Sequence, residues 1–107
     1  MAFAQKNRIA IARHINNRTP FTHQSMSGKW LTDSDINPYY GDLPPEYVAE
    51  LRSLLSSSDV YVVFSYRTPI AYAASTPKFT IPEVKYSVTT THHQTIVKLA
   101  DHYAANY

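Results

Sequence analysis

The chain has 107 residues, of which 44% are hydrophobic and 17% charged, and its formal net charge is +2. This length and balance exclude a disordered chain and predict a single domain over residues 1–107. Cysteine is absent, which excludes disulfides and thiolate metal sites, and the sequence shows neither a signal-peptide pattern nor a membrane-spanning stretch, so we expect a cytoplasmic protein.

The first part of the chain, residues 1–44, predicts less regular structure than the rest. Residues 2–16 contain neither Gly nor Pro and place Ile11 and Ile15 on one line, which is compatible with a helix. From residue 16 to residue 42 the periodicity fades among turn-forming residues, and both glycines lie there. The best candidate for a short strand in this region is QSMSGKWL.

The region from residue 45 onward has clearer periodicity. Residues 45–56 predict an amphipathic helix that begins at Pro45, because proline suits the first helical position. Its predicted buried stripe consists of Tyr47, Val48, Leu51, Leu54 and Leu55. The apolar run VYVVFSY at 60–66 predicts a strand covered on both faces, and a turn at RTP leads to a second strand at IAYAAS.

A third strand is predicted from Phe79, but its apolar residues change phase at Pro82–Glu83, which predicts a β-bulge or a bend there. After Val88 the period becomes helical, and we predict a C-terminal helix over 91–105. The expected fold is therefore α+β: an antiparallel meander sheet of three or more strands, with two or three helices packed on one face.

The junction between the third strand and this helix carries three threonines and two histidines. Thr91 followed by Gln94 fits a capping box, with Thr89 or Thr90 as alternative caps. The adjacent histidines point about 100° apart on a helix and lack a partner at metal-ligand spacing, so we predict no metal site. His93 either fastens the junction to the fold or faces a ligand such as an anion.

The sequence contains no glycine-rich phosphate loop, no paired carboxylate motif and no nucleophile elbow. We therefore predict no catalytic residues, no cofactor and no enzymatic activity. Nine tyrosines indicate an interaction surface, because tyrosine offers a large contact area at low entropic cost. Trp30, Tyr39 and Tyr40, in the irregular N-terminal part, are the first candidates for such a surface.

Two segments, SYRTPIA at 65–71 and IPEVKYSVTTTHHQ at 81–94, resemble a family of short uncharacterised proteins of actinobacteriophages, a domain of unknown function. The chain departs from the family pattern at Thr91, where the family has serine, and at Phe79, which replaces a tryptophan. The resemblance implies a phage protein that acts in the cytoplasm of a bacterial host. It indicates that His93, rather than His92, belongs to the recurring motif. The candidate binding residues also include Tyr66, Arg67 and His93.

Three functional hypotheses follow. The first is a non-enzymatic accessory protein that binds a host or phage protein. The second is nucleic-acid binding through the basic residues of the first helix, which the modest and dispersed positive charge supports weakly. The third is a small enzyme with His93 as its general base, since the ordinary pKa of histidine lies near neutrality. Pairing of an open sheet edge would in addition give a homo-oligomer.

Overall fold

The computed structural model describes residues 5–32, 41, 43–74, 79–82 and 88–106. These residues form one antiparallel sheet of four strands in the order β1-β2-β3-β4, together with three helices, which confirms the α+β class. In chain order the elements are α1 (Gln5–Asn16), β1 (Phe21–His23), β2 (Met26–Leu31), α2 (Pro45–Leu55), β3 (Val60–Ser65), β4 (Thr68–Ala73) and α3 (Val88–Asn106).

The helices lie on both faces of the sheet, so the prediction that they share one face is wrong. Tyr61 and Val63 of β3 pack in one cluster with α1 and α3, whereas Val60 and Val62 pack in another with α2. Alternate residues of a strand point to opposite faces, and every residue of β3 is buried. The uninterrupted apolar run of β3 reflects this two-sided cover, as the sequence predicted.

The N-terminal part is more regular than the sequence indicated. The predicted strand in QSMSGKWL is β2, but β1 was not predicted, because its three residues are too few to show a period. Helix α2 begins as predicted: Pro44 has extended backbone angles, and Pro45 is the first helical residue. Its buried residues Leu51 and Leu55 belong to the predicted stripe.

A β-bulge occurs in β4. Val63 pairs with Ala71 and Phe64 with Pro69, so Ile70 is the extra residue. The bulge lets the neighbours Ile70 and Ala71 both enter the cluster formed with α1 and α3. The bulge predicted at Pro82–Glu83 lies partly outside the described residues, as does most of the predicted third strand.

The described part of that third strand forms one isolated bridge. The backbone N–H of Tyr72 donates to the carbonyl of Thr80 at 3.0 Å, and the N–H of Thr80 donates back at 2.8 Å. Segment 79–82 thus lies against the outer edge of β4 at this one point.

Two tight turns lie side by side at one end of the sheet. The β1–β2 turn consists of Gln24 and Ser25, and the β3–β4 turn of Tyr66 and Arg67. The first residue of each turn has a left-handed φ, 53° for Gln24 and 58° for Tyr66, where hairpin turns commonly use Gly or Asn. The N–H of Tyr66 donates to the carbonyl of Ser25 at 2.6 Å, which ties the two turns together.

Candidate functional site

The first polar group of interest is the junction cluster, formed by Ser65, Thr90, His93 and Gln94. Ser65 ends β3 on the face that α3 covers. Its hydroxyl lies 2.7 Å from Nδ1 of His93 and 3.0 Å from the hydroxyl of Thr90, both within hydrogen-bond distance. Ser65 and His93 are each 1% exposed. The hydrogen bonds therefore join the end of β3 to the beginning of α3 inside the protein.

Gln94 attaches the same helix to β4 and to segment 79–82. Its Nε2 donates to the carbonyl of Pro82 at 3.1 Å and reaches the carbonyl of the bulge residue Ile70 at 3.5 Å. A bulge interrupts the ladder and leaves a backbone group to be satisfied in another way. The buried amide of Gln94 supplies that partner. The two segments that carry the sequence resemblance therefore meet here.

The predicted capping box is wrong. Helix α3 begins at Val88, so Thr91 lies inside the first turns rather than before them, where an N-cap residue belongs. The Thr91 side chain is exposed, and the Gln94 amide donates to Ile70 and Pro82 instead of turning back to Thr91. Thr90 is buried in the junction cluster, and the side chain of Thr89 lies outside the described residues.

The environment of His93 keeps its imidazole neutral. Burial lowers the pKa of His93 to about 4, and the neighbouring His92 lowers it further in the same direction. A neutral imidazole ring has one nitrogen that donates a hydrogen bond and one that accepts a hydrogen bond. Nδ1 is the nitrogen that lies within hydrogen-bond distance of the Ser65 hydroxyl. Because the ring is buried and uncharged at neutral pH, His93 does not face an anion at the beginning of α3. It fastens the junction to the fold.

The second group of interest is an open cleft at the two turns. It encloses about 560 Å³. We call it the hairpin-tip cleft; its lining residues are Thr22, Gln24, Ser25, Met26, Ser27, Gly41, Tyr66, Arg67 and Thr68. Tyr66 is 61% exposed and Arg67 is also exposed. The cleft thus brings two predicted binding residues, Tyr66 and Arg67, to one rim.

Gly41 closes part of this cleft against β4. Its φ of +57° is in the left-handed region that favours glycine. A Cβ at this position would overlap both the hydroxyl and the backbone of Thr68. The chain at residue 41 therefore approaches the first residue of β4 as closely as only a glycine allows.

Tyr66 also connects the cleft to the junction cluster. The centroids of its ring and of the His93 ring are 6.4 Å apart, with the planes tilted by 42°. Because Tyr66 directly follows Ser65, the hydrogen bonds of Ser65 fix the strand end from which the Tyr66 ring projects. The buried cluster therefore supports the exposed tip.

Trp30 lies apart from this tip. Its indole N–H donates to the carbonyl of Arg18 at 2.9 Å, and its ring packs edge-on against Tyr61 at 5.6 Å. Tyr61 is at the opposite end of β3 from Tyr66. The side chain of Trp30 is nevertheless 41% exposed, so it contributes a second, separate aromatic surface. Tyr39 and Tyr40, predicted to join it, lie outside the described residues.

Sequence reasoning did not select Ser65 or the polar residues of β1 and β2 as site residues. One feature of the sequence could have indicated Ser65 as a site residue, because it is a polar residue within an otherwise apolar run. Thr22 and Ser27 had none, because their proximity depends on the pairing of β1 with β2. Within the described residues, no group of three His, Asp or Glu side chains is placed to hold a metal ion.

None of the described helices is both long and apolar enough to cross a membrane. No curated protein and no solved structure matches the chain. One family model, described as a family of unknown function (DUF8033), matches residues 15–104, a span that holds all four strands and both candidate sites. The chain therefore belongs to the family of unknown function DUF8033.

Proposed function

We propose that this chain is a small non-enzymatic phage accessory protein that acts in the host cytoplasm by binding a host or phage protein through the hairpin tip. The observation that carries the proposal is the exposure of the Tyr66 side chain at the hairpin tip. Its ring is 61% exposed, on a turn whose backbone is held in a left-handed φ beside an open cleft. Tyrosine and arginine are both enriched in protein interfaces, and Arg67 is the next residue.

The backbone at the tip supports the same proposal. A left-handed φ in a residue other than glycine is strained and persists only where the surroundings impose it. Gln24 and Tyr66 both have this conformation, and both line the hairpin-tip cleft. Such strain clusters at functional sites, and glycine would relieve it at either position. Arg18 has a similar φ of 56° just after the end of α1, so it is the joint position of Gln24 and Tyr66 at one cleft that supports the proposal.

The Ser65–His93 pair does not favour an enzyme. A serine hydroxyl 2.7 Å from a histidine nitrogen has the distance of a nucleophile and its base. Each of these residues, however, is only 1% exposed. A substrate has no access to the pair, so its role in our proposal is to hold the tip in place.

The proposal is tested by affinity purification from lysates of host cells and of infected host cells, followed by quantitative mass spectrometry. Asparagine tolerates a left-handed φ, so Tyr66→Asn removes the exposed ring without new backbone strain. We expect this variant to lose at least about tenfold of the captured partner, because interface tyrosines are frequent hot spots. The matched control is Trp30→Phe, which alters the other exposed aromatic ring and should retain capture.

Circular dichroism and thermal unfolding establish that both variants are folded. If folded Tyr66→Asn captures the same proteins as the unmodified chain, binding does not use the hairpin tip and the proposal is wrong.

A further inference from the structure

Two of the residues that line the hairpin-tip cleft, Thr22 and Ser27, lie on the face of the sheet that α2 covers. Thr22 and Ser27 are direct cross-strand partners, so their side chains share a face. Ser27 is in turn paired with Phe64, which packs in the α2 cluster. On this face the side chains of Thr22 and Ser27 carry hydroxyl groups, whereas the side chains of β3 that pack against α2 are apolar. The cleft therefore offers the hydroxyl groups of Thr22 and Ser27 together with the aromatic ring of Tyr66 at its rim.

Arg67 carries a positive charge in the lining of the cleft, and none of the described lining residues carries a carboxylate. Lys29 lies two residues beyond Ser27 and hence on the same face of β2, with its Nζ 5.6 Å from the centroid of the Phe64 ring. Arg67 in the lining of the cleft, Lys29 beside it, and the hydroxyls of Thr22 and Ser27 provide hydrogen-bond donors for negatively charged oxygen atoms.

The chemistry and size of the cleft fit a peptide better than a nucleic acid. Its volume of about 560 Å³ lies within the range of specific ligand pockets, and it is open rather than enclosed. A nucleic-acid surface needs a row of phosphate contacts, whereas the described part of the chain places two cations, Arg67 and Lys29, near this one depression. A guanidinium has five donors in a planar fork, so Arg67 can bind a carboxylate while keeping another contact.

We infer that the hairpin-tip cleft binds an acidic segment of the partner protein, with partner carboxylates on Arg67 and Lys29 and adjoining apolar surface on Tyr66. This inference rests on the proposed function, which it deepens by giving the chemistry of the partner. Charge pairs at the rim of an interface act mainly on the association rate and are weakened by salt. Binding of an acidic segment is therefore salt-sensitive and depends on Arg67.

The probe is acetylated hexaglutamate amide, titrated into the ¹⁵N-labelled full chain and followed by amide chemical shifts. We expect shifts confined to the two turns and the adjoining ends of β1, β2 and β4. The apparent affinity should fall about tenfold in Arg67→Gln with Lys29→Gln, the equivalent of losing about 1.4 kcal/mol. The apparent affinity of the unmodified chain should also fall about tenfold as the salt concentration is raised to roughly 0.3 M. Arg52→Gln, which removes an exposed arginine from the last turn of α2, is the matched control and should leave binding unchanged.

Hexalysine amide and hexathymidylate serve as the competing probes. The inference is overturned if hexaglutamate causes no shifts at low salt, if hexalysine binds equally well, or if hexathymidylate binds the cleft more tightly than hexaglutamate. Should hexaglutamate fail while capture from lysate still depends on Tyr66, the acidic-segment inference is wrong and the proposed binding function stands. If capture is also independent of Tyr66, the proposed function is wrong as well.

Discussion

As the pH falls, protonation of His93 should destabilise this protein before the Asp and Glu carboxylates are protonated. In the folded chain burial lowers the pKa of His93 to about 4, whereas an unfolded chain has a histidine pKa near 6.5. Between these values the unfolded state binds a proton that the folded state does not. Protonation therefore favours unfolding, and the stability contributed by neutral His93 is complete above pH 6.5 and is lost as the pH falls toward 4.

The magnitude follows from the size of the pKa shift. A depression of about 2.5 units corresponds to roughly 3 kcal/mol of unfolding free energy over the whole window. Between pH 8 and pH 5 the loss should be about 2 kcal/mol, a large share of the 5–15 kcal/mol that is typical of a domain. Since Ser65 and His93 are each 1% exposed, solvent screens this effect little.

Urea denaturation at a series of pH values measures this loss. Trp30 is the only tryptophan, and its fluorescence reports on the packing between Trp30 and Tyr61. The comparison variant is His93→Asn, whose side-chain amide occupies the position of Nδ1 and cannot be protonated in this range. Between pH 8 and pH 5, the unfolding free energy of His93→Asn should fall by about 2 kcal/mol less than that of the unmodified chain. His92→Gln, at the exposed neighbouring position, should keep most of the pH dependence, because burial is the largest cause of the lowered His93 pKa.

An NMR titration of the His93 ring gives an independent check on the unmodified protein. Either of two results would refute the reasoning: a midpoint for His93 close to 6.5, or the same pH dependence of unfolding free energy in His93→Asn as in the unmodified chain.

Three further predictions concern stability. Ser65→Ala removes the hydroxyl shared by His93 and Thr90 and should lower the unfolding free energy by about 1–3 kcal/mol in urea titrations, so an unchanged midpoint would contradict the junction cluster. Gly28→Ala adds a Cβ that overlaps the Tyr61 hydroxyl, and this overpacking should lower the unfolding free energy by about 1–3 kcal/mol in thermal or urea unfolding. An unchanged unfolding free energy would mean that the Tyr61 side chain moves aside at little cost. Thr91→Ala should change stability by less than about 0.5 kcal/mol, because Thr91 is exposed and caps nothing, and a loss near 1 kcal/mol would restore the capping interpretation.

The elements with strong local patterns were predictable. Helix α2 has a clear apolar stripe and a proline at its first position, and β3 is an unbroken apolar run. Both patterns arise from burial along one element, so they are visible in a single stretch of sequence. The three residues of β1 and the isolated bridge at Thr80 have no such pattern, because cross-strand pairing alone defines them.

The sequence by itself determined the α+β class, the approximate positions of the helices and central strands, and the importance of His93 among the polar residues of its junction. Tertiary structure decided what those residues do. It placed the helices on both faces and brought Ser65, 28 residues away in the chain, within 2.7 Å of His93. It also joined two distant turns into one cleft. A helix or strand depends on neighbouring residues, whereas a hydrogen bond or cleft between segments depends on sheet register and helix packing, which local sequence does not encode.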